Sequence, residues 1–243
     1  MKILVVGASG ATGSQLVEQL LSNNHKVKAI VRTPEKLPDS WRTHTNLQIL
    51  SASLLDLSDA EMQEIVSDCD AVVSCLGHNM TFKGVYGKPR QLITDATRRL
   101  CNAISTNELK SKTKFVLINT TGNRNRDLNE PISLAQKCVI GLLRLLLPPH
   151  VDNEKAADYL RTEIGQNHTF VEWVAVRPDG LINEASVTEY EIYPSPTRSA
   201  IFKAGKVSRI NVAHFMASLI TDDNLWNDWK GQMPVIYSTT DKE

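Results

Sequence analysis

Short runs of consecutive apolar residues alternate along this chain with longer stretches in which apolar positions recur every three or four residues. The short runs are Lys2–Val6, His25–Val31, Asn46–Leu50, Asp70–Gly77, Lys114–Asn119, Thr169–Val176 and Met233–Ser238. Such β-rich runs, apolar with little alternation, suit parallel strands covered on both faces. Between them Leu16, Val17, Leu20 and Leu21 make one helical stripe, and Leu92, Ile93, Ala96, Leu100, Ala103 and Ile104 make another. Ser58-Asp59-Ala60-Glu61 reads as a capping box, and Asn23-Asn24 as a helix end that tolerates a left-handed residue. No repeat, linker or low-complexity tract breaks this alternation of strand and helix. It predicts one α/β domain over 1–243, a doubly wound parallel sheet, with a small C-terminal substrate lobe mainly at 179–206 and 224–243.

The first strand runs directly into Gly7-Ala8-Ser9-Gly10-Ala11-Thr12-Gly13 and then into a helix. Three glycines between a strand and a helix suit a pyrophosphate. Gly7 turns the chain, Gly10 admits a phosphate to the backbone, and Gly13 lets the helix lie close to its strand. The helix N-terminus then offers free N–H groups to negative charge. Arg32 ends the second strand, where an acid would read the ribose hydroxyls of NADH, and no acid occupies 31–34. An arginine there pairs with the 2′-phosphate, so NADPH is the expected cofactor, with Lys36 as a possible second charge and a solvated strand end as the alternative.

Composition narrows the partners. Lys+Arg and Asp+Glu both total 27, so no global field favours nucleic acid or an anionic membrane, and neither is expected as a partner. No export leader or apolar span of membrane length is visible, and Cys69, Cys75, Cys101 and Cys138 have no paired spacing. A cytoplasmic protein with reduced thiols and no metal site follows as the expectation. Ile132 to Leu147 reads as a helix apolar nearly all round, buried by the core and by a second subunit in a homodimer, or within one chain.

GASGATG, with two residues between successive glycines, resembles the short-chain dehydrogenase/reductase superfamily, and specifically its atypical, NmrA-like NAD(P)-binding branch. The resemblance continues with gaps through most of the chain and implies a Rossmann fold. It implies cofactor contacts from Gly7, Ser9, Gly10, Ala11, Thr12 and Gly13, and from Arg32. Ser53 and Leu54 stand where relatives carry a Gly-Asp-Leu-like segment beside adenine. Cys75, Leu76 and Gly77 match the strand end that passes under the adenine ribose. Arg177-Pro178 matches an Arg-Pro-Gly segment near the nicotinamide, with Pro178 as a cofactor neighbour and Arg177 as a brace. Val207-Ser208-Arg209-Ile210-Asn211-Val212-Ala213 matches a further signature, with Asn211 as helix cap.

For chemistry, the resemblance places Thr120 where a serine hydrogen-bonds the substrate carbonyl, and Lys155 where a lysine holds the ribose. A threonine in such a turn can equally bond its own backbone. The superfamily's tyrosine, four residues before the lysine, is replaced by Val151. His150 is the nearest substitute, yet adjacent helix positions point in different directions. His78, and the aromatics Phe82 and Tyr86 in the loop from Asn79 to Pro89, are further cleft candidates. Arg124 and Arg126 lie in a polar run that either steers an acidic substrate or is simply solvated. The expected function is an NADPH-dependent oxidoreductase acting on a small carbonyl, quinone or flavin-like acceptor; the alternative is a non-catalytic NADP(H)-binding redox sensor.

Overall fold

A computed structural model of the chain describes residues 1–79 and 81–239. Residue 80 of the 79–89 loop and positions 240–243 of the expected lobe lie outside the described residues. The strands are β1 (Lys2–Val6), β2 (Lys26–Val31), β3 (Leu47–Ser51), β4 (Ala71–Ser74), β5 (Thr113–Ile118), β6 (Val171–Pro178), β7 (Gly180–Ile182), β8 (Tyr190–Tyr193), β9 (Lys206–Ser208) and β10 (Val235–Ser238). The helices are α1 (Ala11–Ser22), α2 (Asp39–Arg42), α3 (Asp59–Val66), α4 (Phe82–Tyr86), α5 (Leu92–Thr106), α6 (Leu134–Leu146), α7 (Pro148–Tyr159), α8 (Arg209–Thr221) and α9 (Asp223–Trp229).

Eight strands form the main sheet in the order β3-β2-β1-β4-β5-β6-β10-β8, and only β8 runs antiparallel to its neighbour. The chain therefore reverses its direction of growth beside β1, between β1 and β4. In open α/β sheets that switch point opens a crevice at the carboxyl edge, where ligands collect. Strand periodicity decides which helix layer each residue meets. Ile3 and Val5 face α1 and α8, packing with Leu16, Val17, Phe215 and Met216. Leu4 and Val6 face the opposite layer, with Met62, Ile93, Leu100 and Leu160. A second, two-stranded sheet of β7 and β9 lies over the carboxyl edge beyond β6.

Local signals are realised closely. Ser58 and Glu61 form the full capping box at the start of α3, and Asn24 adopts φ 60° just past α1. Other expectations need correction. β4 is shorter than the apolar run, because Cys75 to Gly77 leave the sheet to cross the glycine turn. Asn211 does not cap α8: Ser208 does, accepting from Asn211 N at 3.2 Å. The Asn211 side chain is buried and instead holds Thr188 through two bonds of 2.9 Å. In α6 only Ile140 is buried, while Leu134 and Leu145 are each 79% exposed, so the described residues leave most of this helix uncovered.

The brace at Arg177 is as expected from sequence. Arg177 is fully buried; its guanidinium donates to Glu130 at 2.7 and 3.2 Å and to the carbonyls of Met233, Asn123 and Pro194. Glu130 also accepts from Asn125 N at 2.9 Å. Removing one member of such a pair strands a buried charge. Glu130→Leu is expected to lower unfolding stability by about 3–5 kcal/mol in urea titrations, with much of that loss recovered in the Glu130→Leu/Arg177→Met double variant. A loss under about 1 kcal/mol would show that the pair does not hold these segments.

Candidate functional site

The glycine turn is shaped by contacts that exclude side chains. Gly7 has φ +78°, and a Cβ there would stand 2.5 Å from Cys75 O and 2.8 Å from Leu76 N. A Cβ on Gly13 would meet Gly7 O at 2.2 Å. Gly10 begins α1 with no side-chain cap, and the first turn of the helix holds no acid. The N–H groups of Ala11, Thr12 and Gly13 consequently have no acceptor among the described residues. Ser9, Gly10 and Ala11 are exposed beside them. The turn is thus a concave, electropositive cradle of backbone, and its donors fit a pyrophosphate.

A cavity of about 330 Å³ adjoins this cradle at the ends of β1 to β4. Gly7, Ser9, Ser53, Leu54, Leu76 and Gly77 line it, together with Arg32, Asp56 and Lys88. Nothing lies within 4 Å of a Cβ placed on Gly77, so that residue forms open floor. Leu54 packs into the core while Ser53 stays half-buried at the rim. Cys75 contributes backbone to the back of the glycine turn; its half-buried side chain packs into the core instead. Arg32 is exposed and makes no ion pair or hydrogen bond among the described residues. Lys36, also exposed, is not part of the lining. These surfaces fit the adenosine half of a nicotinamide cofactor.

Beyond β5 the chain turns at Thr120-Thr121-Gly122. Thr121 N donates to Pro178 O at 3.1 Å, which ties this turn to the end of β6. Thr120 Oγ1 accepts from Gly122 N at 3.2 Å, leaving its own hydrogen available to another acceptor. Asn119 Oδ1 accepts from Thr120 N at 2.9 Å, and Asn119 Nδ2 donates to Asn153 O at 2.9 Å, fastening the turn to α7.

His150 reaches this turn despite its place one residue before the position of the missing tyrosine. A methyl group on Gly122 would lie 3.6 Å from His150 Cε1, 3.9 Å from its Nδ1 and 3.6 Å from Thr120 Oγ1. On its other side, His150 Nε2 stands 3.5 Å from Glu154 Oε1. Glu154 accepts two bonds from Arg144, at 2.8 and 2.9 Å. Burial would raise the Glu154 carboxyl, but His150 and Arg144 outweigh it and hold the group down at about 2, so it is anionic at neutral pH. The wheel position of residue 150 concealed this contact, because the helix begins only at Pro148 and its first turn faces the β5 end.

Lys155 and His78 are placed differently. Lys155 is exposed on α7, with Nζ 3.5 Å from Gln91 Oε1, next to Leu92 in the first cavity's wall. His78 is buried between Asp152 Oδ2 at 2.7 Å and Gly84 O at 3.3 Å. Asp152 in turn accepts from the Ile93 and Thr94 amides at the start of α5, so His78 belongs to a structural knot rather than a solvated loop. Phe82 and Tyr86 stack on each other at 5.0 Å, and Tyr86 bonds Leu146 O, away from both cavities.

A second cavity of about 500 Å³ begins at Thr121 and Gly122. Its walls come from the 124–140 segment and the 196–200 loop, and its charged residues are Arg124, Arg198 and Glu130. Arg126 turns away to Asp158 at 3.0 Å. No cluster able to hold a metal ion occurs among the described residues, and no helix among them is long and apolar enough to cross a membrane.

Comparison with known proteins agrees with this geometry. A protein of Arabidopsis thaliana, named as uncharacterised and chloroplastic, is 30% identical over 212 residues, covering 87% of this chain and 69% of its own. Among solved structures, an oxidoreductase from Lactococcus lactis superposes with a TM-score of 0.69 at 19% identity, over 98% of this chain and 91% of that one. A short-chain dehydrogenase/reductase from Veillonella parvula, in complex with NADP, gives 0.72 at 14%, over 100% and 96%. A candidate NADH-flavin reductase from Streptococcus pneumoniae gives 0.67 at 17%, over 98% and 100%. Those likenesses share the fold, and the sequence itself matches the NAD(P)H-binding family over residues 7–223. With the glycine cradle inside that span, the chain belongs to the NAD(P)H-binding family.

Proposed function

We propose that this protein is an NADPH-dependent oxidoreductase that reduces a small carbonyl, quinone or flavin-like acceptor. One observation carries the reading: two ligand-sized cavities open on the same sheet edge, and an imidazole backed by an anionic carboxylate stands beside the turn from which the second begins. The nicotinamide, when bound, supplies a hydride. The chain's task is to hold the acceptor, exclude water and deliver a proton. For a carbonyl acceptor the carbon takes the hydride and the oxygen takes the proton, leaving a hydroxyl.

Thr120 donates its hydroxyl hydrogen to the acceptor oxygen and so orients it. His150 Nδ1 delivers the proton, and Glu154, fixed by the Arg144 fork, places a negative charge 3.5 Å from the other ring nitrogen, which has no hydrogen-bond partner among the described residues. Lys155 stands near the first cavity's wall, where its ammonium steadies the ribose hydroxyls. Arg32 selects NADPH by taking the 2′-phosphate, for which no carboxylate competes at 31–34.

A second reading, a redox sensor that binds NADP(H) without turnover, is favoured by Val151 in place of the superfamily's tyrosine. Loss of NADPH absorbance in the presence of quinones, flavins and aldehydes separates the two. Turnover on at least one acceptor is expected; tight NADPH binding with no turnover on any of them would leave the sensor.

Two substitutions test the residue roles. Arg32→Ala is expected to weaken NADP⁺ about tenfold or more while changing NAD⁺ by less than twofold, read by titration calorimetry. Equal affinities for the two cofactors in the unaltered protein would defeat the preference. His150→Gln is expected to lower kcat about 100-fold or more while leaving NADP⁺ affinity within about twofold. A fall in kcat of less than about threefold would show that the proton comes from elsewhere.

A further inference from the structure

The arginines of this chain are almost all engaged. Arg99, Arg126, Arg144, Arg161 and Arg177 hold carboxylates, and Arg98 and Arg198 lie over the Tyr159 and Tyr237 rings. Arg42, Arg90 and Arg209 donate to carbonyls or side chains nearby. Arg32 and Arg124 alone have no ion pair, hydrogen bond or ring contact among the described residues. Each lines one of the two cavities at the carboxyl edge of the sheet.

The case of Arg124 is the more pointed. It is half-buried, and its Nε is fully buried without a hydrogen-bond partner. Burying such a donor costs free energy unless an acceptor arrives, and a charged donor calls for a charged acceptor. The only carboxylate in the same lining, Glu130, is occupied: both its oxygens are taken by Arg177 and one also by Asn125 N. That pairing neutralises Glu130 toward an incoming anion. Arg198 in the same lining is already engaged, over the Tyr237 ring and beside Asp179, so Arg124 carries the charge available to a ligand. The net sign of the cavity is therefore positive, in a protein whose formal net charge is +0.

The rest of the lining describes the ligand's body. Pro131, Ile132, Ile140, Pro196 and Ala200 present an apolar surface, and a volume near 500 Å³ suits a molecule of one or two rings. Thr121 and Gly122 at the cavity's inner end place such a molecule beside Thr120 and His150.

We infer that this second cavity is a binding site for a small conjugated or aromatic carboxylate whose anionic group is held by Arg124. The inference rests on the oxidoreductase reading and deepens it, since it names the acceptor class as an anion-bearing carbonyl compound. Planar guanidinium and planar carboxylate match in a two-pronged bond, which distinguishes this ligand from a neutral quinone or aldehyde of the same size.

The test uses the protein saturated with NADP⁺ and three probes: benzoate, cinnamate and phenylglyoxylate, each beside its uncharged amide. Binding is read by saturation-transfer NMR titration, so that it does not depend on turnover. At least one acid is expected to bind about tenfold tighter than its amide, with the advantage shrinking as salt is added. Arg124→Gln is expected to reduce that advantage to less than twofold, and Arg124→Lys to give an intermediate value because charge remains and the fork is lost. Thermal melting of both variants with NADP⁺ checks that the fold and the first cavity are intact. Acids and amides binding equally, none of the six binding, or an acid preference that persists in Arg124→Gln each overturns the proposal while leaving cofactor binding standing. Failure of NADP⁺ itself to bind overturns the cofactor reading underneath, and the proposal with it.

Discussion

The contact between the Gly7 carbonyl and the backbone of Gly13 governs the rest of the molecule. A side chain at either position would collide with main chain, so α1 can press against the end of β1 only because both are glycine. That close approach has two results. It brings the Leu16, Val17 and Leu20 face of α1 down on Ile3 and Val5, giving α8 a surface to pack on. It also leaves uncapped amides at the carboxyl edge, where β1 and β4 diverge. Core packing and anion binding therefore depend on the same lack of side chains, and neither can be altered alone.

A second constraint organises the far half of the cleft. Arg177 leaves β6 inside the protein and gathers Asn123, Glu130, Pro194 and Met233 around one guanidinium. These residues belong to segments far apart in sequence, and two of those segments wall the larger cavity. Buried ion pairs of this kind add little net stability over an apolar replacement, because desolvating both charges offsets their attraction. What the pair supplies is a fixed arrangement: a planar fork fits its acceptors in one geometry only. The loop from 123 to 130, which carries Arg124, and the loop near 194 are thereby held at a set separation.

The sequence was most legible where a local rule has one solution. Apolar runs located the strands of the parallel sheet, the glycine spacing located the cradle, and Ser58 with Glu61 marked a helix start to the residue. It was less legible where partners come from distant segments. Nothing near His78 in sequence announces Asp152, and nothing near Asn211 announces Thr188, so one reads as a cleft candidate and the other as a cap. The helix from 134 to 146 misled for a different reason. An apolar composition says that a face should be covered, but not by what, and Leu134 and Leu145 are left uncovered within this chain. Arg124 was visible as a cation in a polar run; only the tertiary structure shows that Glu130, the carboxylate in the same cavity lining, is already engaged by Arg177.

On the oxidoreductase reading proposed above, Val151 at the position where a tyrosine is expected has a geometric consequence for how a proton can be supplied. A tyrosine on the body of a helix reaches a substrate oxygen with its own length. An imidazole is shorter and must start closer, and His150 does so from the first turn of α7, against the Thr120 turn. That turn is fixed to the helix by Asn119 and Asn153, so the ring and the hydroxyl keep their spacing. The ring's charged neighbour, however, is fixed from outside the sheet. Glu154 faces it with an oxygen that Arg144 also holds, and Arg144 belongs to α6, the helix least buried in the core. The carboxylate beside the imidazole is therefore fixed through α6 as well as α7, so the helix that carries the exposed leucines also sets the charge next to the turn at the end of β5.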